Sequence, residues 1–319
     1  MLKVLRRGQS AFDTVTPEPG WQLPEGVLWI DLVAPNREEE LAVERVIGVE
    51  IPTREEMAEI EPSSRLYQDR GATFMTAAIL TGAASEFPLL APVTFVLVGQ
   101  VLVTIRYVEP SSFKAFAGQF ERQPCGMPSG GEVFLSLLDA VVDRVADIVE
   151  GVANEVEEAS QNIFRRPRRG SFEPAITQLG HAQMVSAKAR NSLASLARVI
   201  SFAGLADQLE SVPDLREHLR SLSRDVQSLT DHAAYVSANI TFLLDAAMGL
   251  INIEQNSIIK IFSVAAVAFL PPTLIASIYG MNFRHMPELY WVAGYPMALI
   301  LMIASAVGPL WWFRRKGWL

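Results

Sequence analysis

Hydrophobic and polar positions follow different rhythms along the chain, and each rhythm predicts a different kind of element. The first part carries short apolar or β-branched runs bounded by turn residues. Val27 to Leu32 reads as a strand, with a turn at Ala34-Pro35-Asn36. Asn36 then caps an acidic helix through Arg37 to Val46, with Glu39 at the capping-box position. Phe74 to Leu80 predicts another strand. Val93 to Val98 and Val101 to Arg106 predict a hairpin turning at Gly99-Gln100. The pattern is that of an α+β (mixed α/β) domain over residues 1–125.

From Glu132 the period becomes helical. Phe134, Leu138, Val141, Val145, Ile148 and Val152 form one apolar face, while Asp139, Asp143 and Asp147 line another. That acidic face reads as solvated, with ion handling as the alternative. The helix should stop near the basic run that starts at Arg165, and a second should cover about Glu173 to Ala206, making a helical hairpin over 126–208. Next, Val212, Leu215, Leu219, Leu222, Val226, Leu229, Ala233, Val236, Ile240, Leu243, Ala247 and Leu250 are spaced three and four apart. Such a heptad seam asks for a partner helix along its length. Ser211 with Asp214 resembles a capping start. Nothing between Pro213 and Pro271 stops this stalk helix (209–257), which at about 1.5 Å per residue predicts roughly 85 Å of helix leading into an apolar segment.

Two uncharged stretches follow, Ile261 to Tyr279 with 19 residues and Trp291 to Phe313 with 23. Each is long enough to cross a hydrocarbon core of about 30 Å. They predict a transmembrane hairpin with spans at 258–280 and 291–313, an outer loop at 281–290 and a basic tail at 314–319. Tyr279, Tyr290 and Trp291 on one side, and Trp311, Trp312 and Trp318 on the other, fit the two interfacial belts. Arg314, Arg315 and Lys316 directly after the second span should hold the C-terminus in the cytoplasm. With two spans, both termini are then cytoplasmic. Along the first span Asn256, Ile259, Ser263, Ala266, Leu270, Thr273 and Ser277 share one face, most of them small or polar. Helix packing explains small residues. A pore wall shared by several subunits explains them too.

Composition narrows the function. Mean hydropathy is +0.22, raised largely by the last sixty residues. A formal charge of -8 argues against a nucleic-acid partner and suits cations. Cys125 is the only cysteine, which excludes an intrachain disulfide and a thiolate cluster. The first thirty residues hold no apolar core of signal-peptide length, so an exported N-terminus is not expected. No phosphate-binding glycine loop or catalytic signature is visible, and an enzyme is not expected.

Five segments together carry a resemblance: Asn252-Ile253-Glu254-Gln255-Asn256, Phe269-Leu270-Pro271-Pro272-Thr273, Tyr279-Gly280-Met281-Asn282-Phe283, Met286-Pro287-Glu288-Leu289 and Lys316-Gly317-Trp318-Leu319. The chain resembles the CorA magnesium transporter family, more weakly in its first part through Trp29-Ile30-Asp31-Leu32. The resemblance implies a homopentameric, funnel-like channel in the cell (inner) membrane, with the long helices as inner wall. It implies Gly280, Met281 and Asn282 as the outer selectivity filter, and pore-facing Asn256, Ile259, Leu270 and Thr273. The cargo would be Mg²⁺, with Co²⁺ and Ni²⁺ as possible passengers, and Mg²⁺ would also regulate. Glu59 falls at a sensing position, with Ala58 where the family has a second acid. Asp225, then Asp231, are the stalk acids placed opposite. Glu288 belongs to the outer loop, where Arg284 stands in place of a frequent glutamate. A zinc transporter of the same superfamily and a membrane-anchored regulatory domain without transport are the competing readings.

Overall fold

In the computed structural model, the described residues are 1–18, 20–83, 85, 87–165, 172–282 and 286–317. The expectations on Arg284, Trp318 and the basic run beyond Arg165 lie outside them. The chain divides into two compact units, Met1–Leu244 and Asp245–Leu319.

The first unit opens with β1 (Leu2–Arg6), β2 (Asp13–Val15) and β3 (Val27–Val33). Helices α1 (Arg37–Ile47), α2 (Arg54–Ala58) and α3 (Pro62–Arg65) follow, then β4 (Leu66–Asp69), β5 (Ala72–Thr81), β6 (Leu89–Val98) and β7 (Val101–Arg106). The strands make one seven-stranded sheet in the order β2-β1-β3-β7-β6-β5-β4. Every pairing is antiparallel except β3 with β7. Val98 pairs with Val101 across the predicted Gly99-Gln100 turn, where Gly99 takes φ +54°. The Asn36 cap forms as the sequence asks: Glu39 N–H donates to Asn36 Oδ1 (2.9 Å), and Asn36 N–H donates to Glu39 Oε2 (3.0 Å). A second capping box, Thr53 with Glu56, starts α2.

Helices α4 (Ser111–Arg122), α5 (Gly130–Phe164), α6 (Glu173–Ala203) and α7 (Asp207–Glu210) complete this unit, together with the first part of α8 (Pro213–Tyr279). One sheet face packs under α4, α5 and α6 around Trp29, Phe95, Phe113, Phe116 and Phe134. The other packs against α1 and α2 around Val43, Met57 and Phe74. At the start of α5, a Cβ on Gly130 would fall 2.4 Å from the Leu102 nitrogen. Only glycine lets this helix dock on the β6–β7 hairpin, where Gly130 N–H bonds the Gln100 carbonyl at 2.8 Å.

The heptad seam finds a partner inside the chain. Leu215, Leu219, Leu222, Val226 and Ala233 are buried in the same core as α5 and α6. Polar contacts fix the register: Gln183 Nε2 with Ser237 Oγ at 3.0 Å, and His218 Nε2 with Asp139 Oδ2 at 2.5 Å. One local reading changes. Ser211 closes α7, its hydroxyl donating to the Asp207 carbonyl (2.8 Å), so it does not cap α8. The acidic face of α5 is exposed at Asp143 and Asp147, while α8 sets His218 against Asp139 and brings Asp225 near Asp143.

The second unit holds the rest of α8, a 3₁₀ turn (Pro287–Tyr290) and α9 (Gly294–Arg315). Helix α9 begins three residues later than the predicted span and absorbs Arg314 and Arg315 from the predicted tail. One reason is local: the Arg315 guanidinium lies 5.1 Å over the Trp311 ring, one helical turn back. Among the described residues, α8 and α9 are the two helices long and apolar enough to cross a membrane by length and composition.

Candidate ion pathway

The Gly280-Met281-Asn282 segment is where α8 ends. Gly280 N–H bonds the Ala276 carbonyl at 2.9 Å, and Met281 N–H reaches back to Ile278 at 3.3 Å, closing the last turn. A Cβ on Gly280 would press on the Ala276 carbonyl oxygen at 3.0 Å. Asn282 follows outside the helix and is exposed.

The loop returns against this end. Glu288, in the 3₁₀ turn, shares a cavity of ≈ 360 Å³ with Tyr279 and Gly280 of α8 and with Gly294 and Ala298 of α9. A Cβ on Gly294 would meet the Glu288 carbonyl oxygen at 2.2 Å, so a glycine is required where α9 starts. Glu288 is thereby held beside the Gly280 turn.

All seven positions of the predicted polar face, Asn256, Ile259, Ser263, Ala266, Leu270, Thr273 and Ser277, are exposed on the single chain. A different stripe, Val264, Ala268, Pro271, Ile275 and Tyr279, is half-buried. The helix continues through Pro271 and Pro272, which supply no N–H, so the Val267 and Ala268 carbonyls lose their intrahelical donors. Thr273 Oγ1 donates its proton to the Phe269 carbonyl (2.6 Å). What the hydroxyl has left to offer is lone pairs, which suit a cation. At the other end of this face, Asn256, Ile259 and Ser263 line a cavity of ≈ 380 Å³ with Lys260 and Phe313. Lys260 is not one of the seven positions of that face; its place as the last charge before the apolar run is the signal that marks it.

Glu59 is the exposed residue after α2. Asp225 is exposed on α8. Asp231 accepts a bond from Gln227 Nε2 at 3.1 Å. Among the described residues no three His, Cys, Asp or Glu side chains converge on a metal position. Asp143 shows a local cluster of like charge. Burial, then the Asp139, Asp147 and Asp225 carboxylates, push its carboxyl above the ordinary range.

With the helix end, the loop and the exposed face in place, similarity becomes decisive. A family model described as CorA-like Mg²⁺ transporter protein matches residues 24–315. The chain belongs to that family. It is 36% identical over 292 residues to the magnesium transport protein CorA of Pasteurella multocida (strain Pm70), covering 92% of each chain. To the magnesium transport protein CorA of Escherichia coli (strain K12) it is 35% identical over the same length and coverage. In fold it is similar to the complete CorA magnesium transporter of Methanocaldococcus jannaschii, with a TM-score of 0.77, 19% identity, and 100% of this chain matched to 99% of that one. Membership in the CorA-like family covers both units, so the Gly280 turn and the stalk belong to one architecture.

Proposed function

We propose that the protein is a Mg²⁺ channel or transporter of the cell (inner) membrane, assembled as a homopentamer with both termini cytoplasmic. One observation carries the reading: a Gly-Met-Asn turn ends a continuous helix whose seven-position polar face is exposed throughout. Symmetry-related copies of α8 would bring those faces together around a pore, with rings of Asn282 at the outer mouth. Mg²⁺ sheds its water reluctantly. Amide oxygens can hold the hydrated ion by hydrogen bonds and leave its inner shell in place. An inside-negative potential supplies about 2.3 kcal/mol per charge per 100 mV, twice that for a divalent ion, and would drive influx. Co²⁺ and Ni²⁺ are the further cargo this reading allows. Cytoplasmic Mg²⁺ would close the pore by bridging Glu59 and Asp225 of neighbouring subunits.

The test is ion uptake by protein reconstituted in liposomes with an imposed inside-negative potential. Mg²⁺ entry that rises with potential is expected, with smaller Co²⁺ and Ni²⁺ entry. Zn²⁺ entry without Mg²⁺ entry would replace the reading with zinc transport. No entry of any divalent ion would leave a membrane-anchored domain.

A further inference from the structure

Strands β3 and β7 are parallel neighbours, yet the helices that follow them lie on opposite faces of the sheet. Helix α1, after β3, packs on one core through Val43, while α4, after β7, packs on the other through Phe113 and Phe116. Such a switch point leaves a crevice beside the carboxyl ends of the two strands, and crevices of this kind hold ligands in open α/β sheets. A cavity of ≈ 470 Å³ lies there, between one face of α4 and the β2-β1-β3 edge. Its size is that of a small-molecule site.

The chemistry of its walls is selective. Lys3 sits directly across from Asp31 in the β1–β3 register, and Asp31 already accepts three bonds. Its oxygens accept from Thr104 Oγ1 (2.7 Å), Arg106 Nε (3.1 Å) and Arg106 Nη2 (2.9 Å). Lys3 is half-buried, and among the described residues it has no ion-pair partner; neither has Lys114 on the α4 side. The Thr14 hydroxyl completes a polar row next to Lys3. Helix α4 keeps the space open with small residues. A Cβ on Gly118 would meet nothing within 4 Å, although glycine inside a helix costs stability. Glu109 and Glu121 also line the cavity, Glu109 62% exposed and 3.9 Å from Arg106 Nη2, and these carboxylates disfavour a polyanion.

We propose that this cavity binds a small organic anion, a carboxylate or a phosphate monoester, with Lys3 and Lys114 on its charged end. The Lys3 ammonium, half-buried and without an ion-pair partner among the described residues, is stabilised by such a ligand, and the exposed Lys114 adds a second positive charge at the rim. The site is separate from the ion pathway and holds whether or not the protein conducts Mg²⁺.

The experiment is calorimetric titration of the full-length protein in detergent, without divalent ions, using succinate and inorganic phosphate as separate probes. One saturable site per chain is expected for at least one probe, and the two arms tell carboxylate from phosphate. Lys3→Gln should weaken that binding about tenfold, the loss expected for one charge-assisted bond. Gly118→Leu should fill the cavity and abolish binding, and Lys188→Gln, outside the cavity, should leave it unchanged. If Gly118→Leu does not fold, Lys3→Gln decides alone. No saturable heat with either probe, or binding unaltered in Lys3→Gln, overturns the proposal.

Discussion

Asp31 and Arg106 form an ion pair at 2.9 Å with each side chain only 4% exposed. The pair is embedded in a chain of bonds: Trp29 Nε1 donates to Thr104 Oγ1 (2.8 Å), and Thr104 Oγ1 donates to Asp31 Oδ1 (2.7 Å). Arg106 Nη1 also bonds the Val108 carbonyl (2.8 Å). Buried charge is tolerated because each group is paired and its remaining atoms are bonded. Trp29 and Asp31 of the Trp-Ile-Asp-Leu run thus act together through one strand face, with Ile30 and Leu32 filling the opposite core.

Removing one partner should cost far more than removing both. Asp31→Asn leaves Arg106 charged and underpaired, and should destabilise the protein by about 3–5 kcal/mol. Asp31→Leu combined with Arg106→Met should lie nearer the parent. Thermal unfolding in detergent compares the two, and a double variant weaker than the single would contradict this account of the pair.

Asn282→Ala should leave expression and assembly intact while Mg²⁺ uptake falls to the leak of protein-free liposomes. Asn282 is exposed and outside the helix, so its loss removes no packing. Uptake equal to the parent's would remove the amide ring from the mechanism.

Leu222→Asp with Leu229→Asp should damage the fold and not merely separate subunits. Leu222 is buried with α5 and α6 of its own chain, and Leu229 packs on that core. A buried, unpaired carboxylate costs several kcal/mol. Light scattering with circular dichroism should therefore show aggregated or poorly helical protein. A well-folded monomer would mean that the seam's essential partner is another subunit.

Asp143 gives a pH signature. Its carboxyl is pushed up from 3.8, first by burial and then by Asp139, Asp147 and Asp225. The folded state therefore holds this proton more tightly than the unfolded chain. Stability is fully present below the unfolded value and declines as pH rises through the folded one. Asp143→Asn should raise the melting temperature near neutral pH and lose that advantage in acid at about pH 3. The same gain at both pH values would show that charge is not the cause.

Glu59→Ala with Asp225→Ala should preserve conduction and remove closure by cytoplasmic Mg²⁺. Both acids are exposed, and the bridging proposed here lies between subunits. Patch recordings that still close at the parent's Mg²⁺ concentration would exclude this pair as the sensor.

Much was legible in the sequence because its physics is local. The Asn36 capping box, the Gly99-Gln100 hairpin and the two apolar helices each depend on residues a few positions apart. The turn at Gly280 is of the same kind: a glycine that ends a helix next to a residue able to present an amide. Other features were decided only when distant segments met. The five-residue β1 and four-residue β4 are too short to show a period and exist because the sheet pairs them. The heptad seam demanded a partner without naming one, since a stripe of leucines fits any complementary helix; packing chose α5 and α6. Asp31 and Arg106 lie 75 residues apart, and no spacing rule joins them. The parallel β3–β7 register sets Asp31 opposite Thr104, with Arg106 two positions on along the same strand face, and burial makes the pairing obligatory.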